Sequence, residues 1–206
     1  FVSGLGLKFT QSVIDLSGGV LFILLCLTAI SAIILGMGMT TTAVYITVAA
    51  LIVPSLIESG ILPIAAHMFA FYFGVVSTIT PPVALASFAG AAIAKSPPMA
   101  TAVESSKVGI AKYIVPFAFV YNPSLLMEGP IIWSLYSLIA VLLAYWLMTL
   151  GLEGWFNGKL NAYKRTLVLL GSVTLLIPPL EIIYGINGFY YNLIGILVLL
   201  MIYFLQ

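Results

Sequence analysis

Charge is what this sequence has least of. Only 6% of its 206 residues are Asp, Glu, Lys or Arg, against about a quarter in soluble domains. A water-facing surface cannot be covered with so few charges, whereas a bilayer accepts apolar side chains facing outward. The one cysteine, Cys26, sits inside an apolar run, which excludes an internal disulfide and a cysteine metal cluster. The one histidine, His67, and the six scattered acids supply neither a metal-ligand set nor a ready catalytic triad. An intramembrane enzyme is thereby disfavoured; only a serine or threonine nucleophile paired with His67 stays open. A formal net charge of +1 gives no basic field for nucleic acid and no acidic tail. The chain opens on Phe1 with no initiator methionine, charged n-region or small-residue cleavage site. It is expected to be a piece of a longer protein whose N-terminal half lies elsewhere.

What fills the sequence is apolar: 63% of residues, with a mean hydropathy of +1.23. That composition predicts an all-α integral membrane protein, and a helix crossing the hydrocarbon needs about 20 apolar residues. Residues 1–16, with Lys8 and Asp15, read as the end of a preceding element. Residues 17–57 are interrupted at Gly36-Met37-Gly38-Met39 and Thr40-Thr41-Thr42, and each arm is about a half to three-quarters of a span. Two glycines in mid-helix cost about 1 kcal/mol each against alanine. A re-entrant hairpin with its tip at membrane depth is the economical reading, and two tilted spans the plainer one. Residues 61–94 are broken at Ser77-Thr78-Ile79-Thr80-Pro81-Pro82. Consecutive prolines remove two donors and push Thr80 from helical geometry, so a discontinuous helix with freed carbonyls is expected. Irregular backbone at that depth must face protein or a water-filled cavity.

Residues 95–112 carry Lys95, Glu104, Lys107 and Lys112. Ser96-Pro97-Pro98 resembles a helix start with a capping hydroxyl, and Met99, Val103 and Ile110 fall near helical spacing. An interfacial cytoplasmic helix is expected, with Glu104 and Lys107 as a solvated pair. Residues 113–130, broken at Pro116 and Asn122-Pro123, and residues 131–150, 167–184 and 189–206 are expected as further spans. Trp133, Trp155, Tyr163, Tyr190 and Tyr191 sit near their ends, as interfacial aromatics do. Beyond residue 9 every Lys or Arg falls in residues 95–112 or 159–165, so these connections are expected to be cytoplasmic. The opposite connections hold Glu58, Glu128 and Glu181 and no positive charge.

A glycine-tipped hairpin followed by a helix broken at a polar-Pro-Pro segment has the form of one repeat of a transporter core, where unwound segments converge on substrate and ion. Glycines expose carbonyls to a cation, half-helix N-termini offer amides to an anion, and hydroxyls are cheaper to bury than charges. Two stretches resemble the tripartite ATP-independent periplasmic (TRAP) transporters, specifically the fused-permease kind that works with TAXI-type binding proteins. Leu35-Gly36-Met37-Gly38-Met39-Thr40-Thr41-Thr42-Ala43 looks like the tip of that family's second hairpin. Gly74-Val75-Val76-Ser77-Thr78-Ile79-Thr80-Pro81-Pro82-Val83-Ala84 looks like its Thr-Pro-Pro-Val-Gly break. The likeness covers roughly residues 17–127.

The resemblance implies the C-terminal part of the large membrane subunit, in the bacterial or archaeal inner membrane. It implies an elevator repeat with additional C-terminal transmembrane helices, ion-coupled import of a small organic anion, and delivery by a periplasmic binding protein. No cofactor is implied beyond the coupling ion. Sodium then maps onto carbonyls at Gly36 or Gly38, Ser77, Thr80 and Val83. Thr40, Thr41, Thr42, Thr78 and Asn122 become candidate substrate contacts, and Pro81 and Pro82 the structural break. Two departures matter: no acidic residue follows the tip glycine, and Ser77 and Ala84 stand where the family has glycine. Proton coupling therefore stays open, with His67 either a relay or a neutral imidazole bonded to a neighbouring helix. Tyr121-Asn122-Pro123 either lines the cavity or satisfies local carbonyls. The run Phe69, Phe71, Tyr72 and Phe73 is read as packing. The rivals are a sodium-coupled elevator symporter for citrate-like substrates and a purely structural membrane subunit with incidental kinks.

Overall fold

The computed structural model describes residues 5–156, 158–179, 182–183 and 186–204. The chain forms two compact units, residues 1–120 and 121–206. In the first, α1 (Leu5–Ser17), α2 (Leu21–Gly36), α3 (Thr41–Leu51), α4 (Val53–Glu58) and α5 (Pro63–Val76) precede α6 (Leu85–Ala94), α7 (Pro98–Val108) and α8 (Ala111–Tyr121). Helix α2 ends where Met37 turns to extended backbone (φ −64°, ψ 122°), and α3 starts after Thr40, also extended (ψ 152°). At 1.5 Å per residue the two arms measure about 24 and 16 Å, each short of a hydrocarbon core of about 30 Å. Both arms pack on α5.

Alanines explain the closeness. Ala65, Ala66, Phe69 and Ala70 of α5 are buried, as are Leu24, Leu25 and Ala32 of α2 and Val44 and Val48 of α3, the two helices that pack on α5. Lipid tails are as apolar as leucine, so association between such helices comes from backbone approach and packing, which small residues favour. The aromatic run is shared out round α5. Phe69 and Phe73 meet Phe117 of α8 edge-on, with centroids 5.4 and 5.8 Å apart, while Tyr72 meets Phe119 at 5.4 Å. Phe71 turns the other way, to Tyr45 at 5.7 Å. These contacts fix α8 along α5.

In the second unit a 3₁₀ turn (Pro123–Leu126) precedes α9 (Ile131–Glu153), α10 (Ala162–Leu176), two paired strands, β1 (Ile182–Ile183) and β2 (Ile186–Asn187), and α11 (Gly188–Phe204). Ala144, Leu147, Leu160, Val168 and Leu175 make its core. Leu135, Leu138, Ile139 and Leu142 of α9 point outward as one apolar stripe. Among the described residues α9, at 23 residues, is the one helix long and apolar enough to cross a membrane. Arg165 donates from Nε and Nη2 to the carbonyls of Gly151 and Leu152, at 3.0 and 2.7 Å, satisfying the end of α9 as a basic group at a helix C-terminus does.

Several details differ from the sequence reading. Helix α7 does begin at Pro98, but Ser96 does not cap it: its hydroxyl bonds Thr101 Oγ1 at 2.8 Å. Where residues 113–130 were expected as one broken span, an 11-residue helix, Ala111–Tyr121, runs through Pro116 and the 3₁₀ turn follows. Pro116 lies so near the start of α8 that its missing N–H orphans only a first-turn carbonyl. The helix stops because Asn122 (φ −132°, ψ 80°) precedes a proline. Residue 181, whose glutamate was assigned to an outer connection, lies outside the described residues.

Candidate functional site

The two breaks read from the sequence meet. A Cβ placed on Gly36, at the end of α2, would lie 2.5 Å from Ser77 Oγ and 2.9 Å from the Gly74 carbonyl. Only a residue without a side chain fits there. Gly38, two residues on, has open space around it but φ +80°, the left-handed turn that lets α3 set off. Two helix C-termini, those of α2 and α5, therefore converge, each carrying about half a negative charge.

Past Val76 the chain unwinds as far as Ala84, through a cis Pro81-Pro82 bond. The hydroxyls along the break are turned back on their own helix. Ser77 bonds the Gly74 carbonyl at 2.5 Å, Thr78 that of Val75 at 2.8 Å and Thr80 that of Val76 at 2.7 Å. Each proton is thus committed to a carbonyl, and the oxygen lone pairs face elsewhere. Of the backbone acceptors, the Thr78 carbonyl takes Ala86 N–H at 3.0 Å and Val83 takes Leu85 N–H at 3.1 Å. Ser77 takes Thr80 N–H at 3.3 Å, and Gly36 takes Met39 N–H at 3.4 Å. Among the described residues the carbonyls of Gly38 and Thr80 accept no hydrogen bond. No trio of His, Cys, Asp or Glu gathers among those residues, so a cation held here would have neutral oxygens and helix-end dipoles as its ligands.

Thr40, Thr41 and Thr42 are exposed at the start of α3, and the Thr40 side chain makes no capping bond. The first amides of that helix have no acceptor within it, and a helix start of this kind favours negative charge nearby. His67 is half-buried, its Nδ1 3.0 Å from Tyr45 Oη. This pair borders a cavity of about 280 Å³ with Met68 and Phe71. Asn122 belongs to the second unit, where it is buried and donates to Ser137 Oγ at 2.9 Å. Glu104 and Lys107 pair at 3.0 Å with both side chains about two-thirds exposed, 65% and 67%.

Two residues at the break escaped the sequence reading. Ser106 of α7 reaches the Ile79 carbonyl at 3.0 Å, and Tyr113 of α8 reaches Thr80 Oγ1 at 2.7 Å. They lie on different helices, α7 and α8, with Gly109 between, so no helical spacing in the sequence signals the pair.

The α2–α3 turn and the break after α5 thus meet at a point lined by hydroxyls and carbonyls, inside an apolar helical body. Residues 1–134 match the family described as the tripartite ATP-independent periplasmic transporter, DctM component, and the chain belongs to that family. It is a component of a TRAP secondary transport system and integral to the inner membrane. Components of this family work with a periplasmic substrate-binding protein and a small membrane subunit, and are transporters rather than enzymes. No curated protein and no solved structure matches the chain.

Proposed function

We propose that this chain carries half of the substrate and ion path of an importer for a small organic anion, a carboxylate, energised by an ion gradient. The observation that carries the reading is the contact between Gly36 and the Ser77–Gly74 segment. Two converging helix C-termini with free carbonyls at Gly38 and Thr80 suit a sodium ion, while the α3 amides at Thr41 and Thr42 suit a carboxylate. The hairpin α2–α3 is re-entrant, the helices α5 and α6 are the two halves of one broken span, and the chain passes the membrane several times. Hairpin and broken helix move together as an elevator across a fixed scaffold, with substrate delivered by a TAXI-type binding protein. Val83 is the weakest of the ion ligands, its carbonyl being engaged by Leu85.

A second reading has protons as the coupling ion. The Tyr45–His67 bond favours it, since the pair links the hairpin arm to α5 and either ring can pass a proton to the other. Both readings meet one experiment: uptake of labelled carboxylates and amino acids into proteoliposomes holding the permease with its binding protein, under separately imposed sodium and proton gradients. Sodium-driven uptake that needs the binding protein is the expected result. Uptake driven by a proton gradient alone selects the second reading, and no uptake from folded protein leaves a structural subunit.

A further inference from the structure

We infer that Tyr113 and Ser106 form a two-point clamp on the break and are positioning residues for the coupling cation. The inference rests on the sodium reading above and concerns residues that touch the break rather than the ion. Phe117 lies one helical turn beyond Tyr113 on α8, and its ring is set against Phe69 and Phe73 of α5. That packing carries Tyr113 alongside the unwound segment.

The protons can be assigned. Thr80 gives its hydroxyl proton to the Val76 carbonyl, 2.7 Å away. In the 2.7 Å contact between Thr80 and Tyr113 the phenol is then the donor, and its separation from Ser106 Oγ, 3.4 Å, is a long secondary contact. Ser106 gives its own proton to the Ile79 carbonyl at 3.0 Å, sharing it with Ala102 at 3.1 Å. Consecutive residues are thus gripped from two helices: Ile79 by its carbonyl from α7, Thr80 by its side chain from α8.

The consequence falls on the atom between them. Ile79's carbonyl is removed from the set open to a cation, while the Thr80 carbonyl, which accepts no hydrogen bond among the described residues, is held in a fixed direction. Pro81, Val103, Ser106, Lys107, Ile110 and Tyr113 border a cavity of about 370 Å³. The Tyr113 ring has room to turn into it, so its hydroxyl bond fixes its place.

The test is a sodium titration of the assembled permease in detergent, following thermal unfolding in NaCl against choline chloride at equal ionic strength. Tyr113→Phe and Ser106→Ala are expected to raise the sodium concentration of half-maximal stabilisation about 3- to 10-fold, the worth of one hydrogen bond. Ser106→Thr, which keeps the hydroxyl, stays near wild type. Tyr113→Phe combined with Ser106→Ala shifts the midpoint by less than the product of the single shifts, because the two act on one segment. A merely structural role lowers the melting temperature in choline and leaves the midpoint where it was, and that outcome overturns the clamp. If Tyr113→Phe fails to fold, Ser106→Ala against Ser106→Thr decides alone. A wild-type protein showing no sodium-specific stabilisation sinks the sodium reading itself, which distinguishes that failure from failure of the clamp.

Discussion

Gly36 and Gly38 stand two residues apart and are needed for different reasons. At position 36 space forbids a side chain; at position 38 the backbone angle does. Gly36→Ala must push Ser77 and the Gly74 carbonyl apart, a shift that costs about 1–3 kcal/mol in a packed interior, and uptake is expected to be lost with it. Gly38→Ala meets no neighbour and carries only the left-handed strain of about 1–2 kcal/mol, so the protein should fold and keep measurable uptake. Melting temperature and uptake, read side by side on the two variants, check the distinction. Equal behaviour of the two would mean that the contact between the breaks is incidental.

Among the elements, the connection after α8 shows how a polar side chain can end a helix and serve packing at once. Asn122 leaves helical geometry ahead of Pro123, and its amide is satisfied by Ser137 of α9. Asn122→Ala leaves that buried serine hydroxyl without its donor and is expected to lower stability by about 1–3 kcal/mol. With the amide committed inside the second unit, the Michaelis constant for substrate should not move. A raised constant in a fully folded variant would return Asn122 to the substrate contacts.

The elements also show what could be read in advance. The hairpin tip and the break were legible because Gly36, Gly38, Pro81 and Pro82 act on the backbone itself, where a residue's effect is local. The contact between those two segments followed from a family likeness and the general form of transporter cores. Ser106 and Tyr113 were not legible: each makes its decisive bond with a residue 27 or 33 positions away, and a serine in an amphipathic helix has many ordinary uses. Ser96 misled for a related reason. A hydroxyl before Pro97-Pro98 looks like a cap, yet Thr101 competes for it. The fold of the second unit was legible only as apolar length, which located α9 and left the strands β1 and β2 unseen.

For the whole molecule, the asymmetry of its positive charges is the feature with the widest reach. Lys95 and Lys107 are exposed in the first unit, and Lys159 is exposed in the second. If the positive charges remain cytoplasmic, a membrane-impermeant amine reagent will modify these lysines in inverted vesicles and spare them in right-side-out spheroplasts. Peptide mass spectrometry reads the result, and modification of the 95–112 connection from outside would reverse the orientation. The family match ends at residue 134, just inside α9, and the last two helices pack on each other and on α9.

Cys26 is the only thiol in the sequence and lies on α2, half-buried. It precedes Gly36 by ten residues, about 15 Å along the helix. A spin label or fluorophore attached there rides on the arm whose end touches Ser77, with no second thiol in this chain to blur the signal. Within these 206 residues Cys26 is thus a single attachment point, and a label there reports on the arm that ends beside Ser77.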